Sequence, residues 1–449
     1  MKIKSILTGA LALGLASSAF AQTDITITGA TAFRQAAVLA IYNAYNSIGG
    51  GLGNNFNVAH DFPGNVTNQL SQLMASNKAI FRGTFPGISG ETIIRTSFNG
   101  SVEGLRSIAF VGNGTNNASF FQHQTLNASI TPDWDAGAGV QESLRPKFSF
   151  SDVFQSSTPV TATLGWGNAT NSRVGVVTFT MVANDGAPAG LTNVTQQQFK
   201  ALLQTGVQPL RLFTGVTTDL TKVLATGRND GSGTRTTYLA EIGYGIANTV
   251  NQYIATTAGV TVNGTLTAVT LVPAGGNGTG ALATSGGASN ASTVWGSNTL
   301  GNGGYSSSST LRTDMARTTT SVDVYDGVDD SGPIYTEPVI MMTFLSTTDA
   351  SNAAGGGAKI LSYNGVMVDP TGGIDSTEKA RVTNGQYSAW GYQHLYNHGT
   401  LSTNENEFRH RLFATWLDPA INTSANGIPL GDMSASRPDD GARIVSPLL

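Results

Sequence analysis

The chain reads as an α/β protein. Short β-branched runs alternate with stretches of helical period along its length. Several of those runs end on glycine and small polar residues just before a helical stretch, and one long apolar run, Val174 to Val182, has the character of a buried strand.

Taken in order, Asp24 to Thr28 alternates like a strand, Gly29 to Phe33 is a small-residue turn, and Arg34 to Tyr45 carries Val38, Leu39, Ile41, Tyr42 and Tyr45 at helical spacing. Ala79 to Phe85 and Thr92 to Phe98 predict strands, the second running into the turn Asn99–Gly104 before a short helix. Residues 113–147 read as an irregular insertion, and Phe148 to Asp152 as a strand ending on a carboxylate. Beyond Val182, Thr195 with Gln198 forms a capping-box signature, so a helix is expected through Leu203. Val223 to Thr226 is a strand that leads into a glycine-rich loop and then the apolar run Thr237, Tyr238, Leu239, Ala240, Ile242. Residues 274–309 are rich in Gly, Ser and Asn and predict a loop. Pro338 to Leu345 is a second buried strand, and Glu405 to Trp416 the last clear helix.

Composition narrows the function classes. Lys2 and Lys4, an apolar run from Ile6 to Leu15 and the small-x-small site before Gln22 describe a cleavable leader over residues 1–21. With no cysteine in the chain, disulfides, thiolate nucleophiles and cysteine metal sites are excluded, as is a lipid anchor on a cysteine. The 24 basic and 28 acidic residues give net −4; removal of Lys2 and Lys4 leaves 22 against 28, or −6. No basic stripe is present, which argues against nucleic acid. Charged residues are only 12%, with abundant Gly, Ser, Thr and Asn, a composition shared with exported surface or matrix proteins.

The most informative segment is Arg228-Asn229-Asp230-Gly231-Ser232-Gly233-Thr234. Glycines let the backbone approach a ligand and aim successive N–H groups at it. A helix start adds unpaired donors and partial positive charge, and arginine supplies the fixed countercharge. Together they describe a seat for a small oxyanion. Three other loops share the design of strand end, small residues, helix: Gly29–Phe33, Gly100–Gly104 and the one at Asp152. In open α/β sheets ligands sit beyond the carboxyl ends of the strands, so the four can meet at one cleft.

Other candidates are weaker. His394 and His398 stand four apart, a spacing that could hold a metal on a helix, but lack a third ligand and read as surface histidines. Asp323, Asp326, Asp329 and Asp330 lack EF-hand spacing and read as a solvated turn. Gly276–Gly280 has no following lysine, no Gly-x-Ser-x-Gly elbow occurs, and no catalytic set or metal site is expected.

In motif content the chain resembles the periplasmic phosphate-binding proteins of ABC transporters. Residues 228–234 match that family's Arg-x-Asp-Gly-Ser-Gly-Thr loop at identical spacing. Gly100-Ser101-Val102-Glu103-Gly104 is similar to its Gly-Ser-x-x-Gly loop, Phe150-Ser151-Asp152 to its small-Ser-Asp strand end, and Thr28–Phe33 to its Gly-Ala-Thr-Phe loop. Asn364-Gly365-Val366 and Asn384-Gly385-Gln386-Tyr387 resemble later elements, in the same order. The chain departs at Ala32, where the family has its ligand threonine, and at Ser388, where it has proline.

The resemblance implies a two-lobed periplasmic-binding-protein-like (type II) fold with two crossovers between the lobes. Lobe one would be residues 22–165 and 335–449, and lobe two 166–334. It implies that inorganic phosphate is bound by Thr31, Ala32, Phe33, Ser101, Asp152, Arg228, Ser232, Gly233 and Thr234, with Asp230 holding the Arg228 guanidinium. Asp152 would select an anion that carries a proton, which phosphate does at neutral pH and sulfate does not. The implied protein is a monomeric, extracytoplasmic binder without cofactor or enzymatic activity, serving an ABC permease; the alternative is an exported phosphate-binding surface or matrix protein with no transporter.

Overall fold

The computed structural model describes residues 22–53, 55–61, 69–109, 117–123, 140–160, 164–165, 172–246, 248, 250–255, 264–272, 303–305, 307–326, 332–423 and 427–445. The expected leader over residues 1–21, the segment 273–302, and Asp329 and Asp330 lie outside the described residues.

The fold is mixed α/β, organised on a 13-stranded sheet that divides into two halves. In the first half, Thr23–Gly29 pairs in parallel with Thr92–Phe98 on one side and Phe148–Ser151 on the other. Lys78–Gly83 and Phe56–His60 extend that half with antiparallel neighbours. In the second half, Lys222–Ala225 pairs in parallel with Val339–Ser346. The 11-residue strand Arg173–Ala183 belongs to both: its first part pairs with Trp390–Asn397, its last part with Val339–Ser346 and Lys359–Tyr363. The run is apolar and β-branched enough to lie buried over nearly its whole length, so it serves as a central strand in each half.

The chain therefore passes between the halves twice, along Arg173–Ala183 and again where Tyr387–Ala389 leads into Trp390–Asn397; Phe179 N–H donates to the Ala389 carbonyl at 2.8 Å where these crossings touch. The sequence expectation placed the return to the first lobe at residue 335. Val339–Ser346, helix Thr347–Gly355 and Lys359–Tyr363 still belong with the second half, and the chain rejoins the first only at Trp390.

Helices follow the start signals in the sequence. Thr195 and Gln198 form the capping box of Gln196–Thr205, which Gly206 ends in the left-handed region at φ 78. Ser402 and Glu405 form another at Thr403–Arg411, so that helix begins before Glu405 and continues through a π-helical stretch Leu412–Leu417 into Asp418–Thr423. Within 113–147, read as irregular, Ala118–Phe121 and Gln141–Leu144 form a two-stranded sheet, and Phe121 packs on Ala59, Ile80 and Ile93. The largest core cluster joins both halves, from Ile25, Ile27 and Phe81 to Phe199, Tyr238 and Phe344; a second lies against the four-stranded sheet of residues 252–337 and includes Ile254, Val269, Leu311 and Val324.

His394 is neither helical nor exposed. It is fully buried in strand Trp390–Asn397, 4.5 Å from the Phe154 ring and bonded to the Ser172 hydroxyl at 3.0 Å. Burial and the neighbouring Arg173 charge pull it down to about 3, so it is neutral at physiological pH.

Behind the loops, a C-terminal strap touches both halves. The buried Arg437 pairs with Glu241 at 3.2 Å, donates to the Ser388 carbonyl at 2.6 Å and stacks 4.3 Å from the Trp390 ring centre. Asp440 accepts from Phe154 N–H at 2.8 Å and Asp439 from Ser157 at 3.1 Å.

Candidate functional site

The parallel register sets Gly29 beside Phe98 and beside Phe150, so the loops after three strands open at one edge of the first half. Helix Ser101–Ala109 starts there and presses Gly104 onto the end of Thr23–Gly29. A Cβ on Gly104 would lie 2.6 Å from Gly29 Cα and 2.4 Å from Ser149 Oγ, so only glycine allows this approach. The second half offers the loop after Lys222–Ala225 and helix Gly233–Glu241, with Ser232 as N-cap accepting from Arg235 N–H.

The two edges are in contact. Glu103 N–H, in the first turn of helix Ser101–Ala109, donates to the Gly231 carbonyl at 3.1 Å. Thr237 Oγ1 donates to the Asp152 carbonyl at 3.4 Å. Asp152 lies against the first residue of helix Gly233–Glu241 so closely that a Cβ on Gly233 would fall 1.5 Å from Asp152 Oδ1. The carboxylate thus faces the positive end of that helix.

Asp152 and Ser101 bond reciprocally: the Ser101 hydroxyl donates to Oδ1, and Asp152 N–H donates to Ser101 Oγ at 3.1 Å. Asp152 is only 2% exposed, and burial pushes its carboxyl from the usual 3.8 up to about 6, against the opposing pull of the Ser101 bond, its backbone N–H bond and the Arg228 charge. Arg228 is 1% exposed; burial brings it down to about 10, opposed by the charges of Asp349 and Asp152. At neutral pH the pair is therefore an ionised carboxylate and a guanidinium, both removed from bulk water.

Arg228 is held by two groups from outside the glycine-rich loop. Its Nε donates to the Tyr305 carbonyl at 3.0 Å and its Nη1 to the Ser308 hydroxyl, at the start of helix Ser308–Met315. Asp230 is engaged by Arg106, whose Nη2 donates to Oδ2 at 2.7 Å with both side chains buried. The aspartate of the glycine-rich loop ties the two halves together.

Ser101, Asp152, Arg228, Ser232, Gly233 and Thr234 are all buried along this contact. The Thr31–Phe33 turn has a different setting. Phe33 N–H closes the turn on the Ala30 carbonyl at 3.3 Å, and the Phe33 ring packs in the core 5.2 Å from Phe150. Thr31 and Ala32 are half-buried and border a neighbouring cavity of about 420 Å³.

Three residues that the sequence did not signal support the site: Tyr305, Ser308 and Asp349. Tyr305 is fully buried and bridges Arg228 from the end of a segment that read as loop. Asp349, in the first turn of helix Thr347–Gly355, accepts from Ser346 at 2.9 Å and pairs with Arg312 at 3.0 Å. Among the described residues no group of His, Asp or Glu is arranged to hold a metal ion, and no helix is long and apolar enough to cross a membrane.

No family model and no curated protein matches the chain. Among solved structures it is similar to an ABC-type phosphate transport receptor from Vibrio cholerae, at 10% identity and a TM-score of 0.40, covering 91% of this chain and 100% of that one. It is also similar to PstS from Borrelia burgdorferi, at 9% identity and a TM-score of 0.35, covering 91% and 98%. The likeness is distant, and the case for function stands on the residues of the site.

Proposed function

We propose that this chain is an extracytoplasmic solute-binding protein that captures inorganic phosphate between its two halves and delivers it, as a monomer, to an ABC-type importer. The observation that carries the proposal is the buried Asp152 carboxylate, bonded to Ser101 and set against Gly233 with the Arg228 charge close by. Arginine and a helix start attract an oxyanion. An ionised carboxylate beside them repels one, unless the anion brings a proton to donate to it. Hydrogen phosphate does so at neutral pH, while sulfate would leave two negative groups facing each other in a buried place.

In this reading Arg228 supplies the countercharge, Ser101, Ser232 and Thr234 supply hydroxyl and N–H donors, and Asp152 accepts the ligand proton. The Arg106–Asp230 pair and the Glu103–Gly231 bond hold the halves together around it. The chemistry required is binding and release, with no bond made or broken. Titration calorimetry at pH 7.5 tests the reading: phosphate is expected to bind with at least a hundredfold preference over sulfate, and equal affinity for the two would sink it.

A further inference from the structure

The cavity beside Thr31 and Ala32 is larger than one tetrahedral anion needs. At about 420 Å³ it falls in the range of roughly 300–1,000 Å³ typical of small-molecule sites. Its walls come from both halves: Arg34 and Gln35 at the start of helix Arg34–Asn46, Gln72 on helix Gln69–Ala75, Arg312 on helix Ser308–Met315, and Asp349 and Asn352 on helix Thr347–Gly355. Two guanidiniums and three side-chain amides thus face one space with a single carboxylate among them, and that carboxylate is paired with Arg312 at 3.0 Å.

The space adjoins the arginine seat. Ser308, at the start of helix Ser308–Met315, holds Arg228 Nη1, and Arg312, one turn along the same helix, lines the cavity with its partner Asp349. Arg34 donates through Nη1 to Asn77 Oδ1, which steadies its position at the wall.

We propose that this cavity is a second compartment of the ligand site and takes the distal anionic group of a phosphorylated ligand, diphosphate being the simplest ligand of that kind, with Arg34 and Arg312 as its countercharges. The proposal rests on the Arg228 seat holding the first phosphoryl group. A bridged second phosphoryl carries at least one further negative charge into a region whose lining is net positive by one, and Gln35, Gln72 and Asn352 offer amide N–H donors to its oxygens. A neutral alkyl group in the same place would leave both guanidiniums without a ligand countercharge.

The test compares inorganic phosphate, methyl phosphate and inorganic diphosphate by titration calorimetry on the wild-type chain, Arg34→Gln and Asn352→Leu. Diphosphate is expected to bind the wild-type chain at least tenfold more tightly than methyl phosphate. Arg34→Gln is expected to weaken diphosphate by about tenfold or more, the loss of one charge-assisted bond, and inorganic phosphate by only a few fold. Asn352→Leu, on the opposite wall, is expected to show the same selective loss and guards against a folding defect peculiar to Arg34. If the wild-type chain binds phosphate but not diphosphate, or if both variants weaken the two anions equally, the second compartment is refuted while the phosphate seat survives. If no phosphorylated anion binds, both fall.

Discussion

Replacing Asp152 with asparagine isolates what the buried carboxylate does. Its carboxyl titrates at about 6 in place of the usual 3.8, chiefly because it is removed from water. A difference of about 2 pH units at about 1.36 kcal/mol each corresponds to about 3 kcal/mol. The folded pKa is raised, so between pH 4 and pH 6 the folded chain binds more protons than the unfolded one. The protonated group costs nothing below about pH 4, and the full penalty is present once the pH has risen past about 6. Without ligand, Asp152→Asn is therefore expected to be more stable than wild type by up to about 3 kcal/mol at pH 8, with the gain fading to near zero at pH 4. Urea denaturation at several pH values measures this. The same variant should lose selectivity: an amide N–H in place of the carboxylate can donate to sulfate, so the phosphate-to-sulfate ratio should collapse toward one. In wild type the ratio should fall as the pH drops below about 6, where Asp152 takes up its own proton. A stability difference that stays constant from pH 4 to pH 8, together with an unchanged anion ratio, would refute the role given to the buried charge.

Arg228→Ala removes the guanidinium held by Tyr305 and Ser308 beside the seat and should raise the phosphate Kd by about a hundredfold or more, read by calorimetry. Gly233→Ala places a Cβ 1.5 Å from Asp152 Oδ1; it should hold the halves apart, visible as a larger radius of gyration with phosphate present in small-angle scattering, with secondary structure retained by circular dichroism. Arg106→Ala leaves Asp230 buried without its 2.7 Å partner and should lower stability by about 3–5 kcal/mol in chemical denaturation and speed phosphate release in stopped-flow. Its restoration by Arg106→Lys should be partial, since a point charge cannot reproduce the guanidinium geometry.

The legible part of the site is the part carried by contiguous residues. Residues 228–234 hold cation, glycines and hydroxyls in one stretch, Gly100–Ser101 follows the β-branched run Thr92–Phe98, and Asp152 follows the alternating run Phe148–Ser151. The alternation of strands and helices likewise marked the α/β class. Long-range pairing was not legible. Nothing local in Val339–Ser346 says which half-sheet it joins, because a strand buried on both faces is apolar either way. Asp230 and Arg106 are 124 residues apart, and an Asp two residues after an Arg looks equally suited to the nearer guanidinium. His394 and His398 kept helical spacing, but His394 lies in Trp390–Asn397, whose full burial removes the polar–apolar alternation that identifies a strand, and His398 lies just past its end. Tyr305, Ser308 and Asp349 act as single residues brought in by tertiary packing, and single residues leave no pattern to read.

The placement of Trp390–Asn397 also orders the events of folding. This strand sits in the sheet between Phe148–Ser151 and Arg173–Ala183, so the first half has an empty lane until nearly nine-tenths of the chain has been made. The second half, contiguous from Phe179 to Tyr387, has all its strands earlier. A chain emerging from its N-terminus thus carries an unfinished first half the whole way and completes it last, which keeps it loose for as long as its C-terminal residues are withheld. A chain truncated before Trp390 should accordingly show hydrogen-exchange protection in Val339–Ser346 and little in Thr23–Gly29; equal protection of both would show that the first half closes without its central strand.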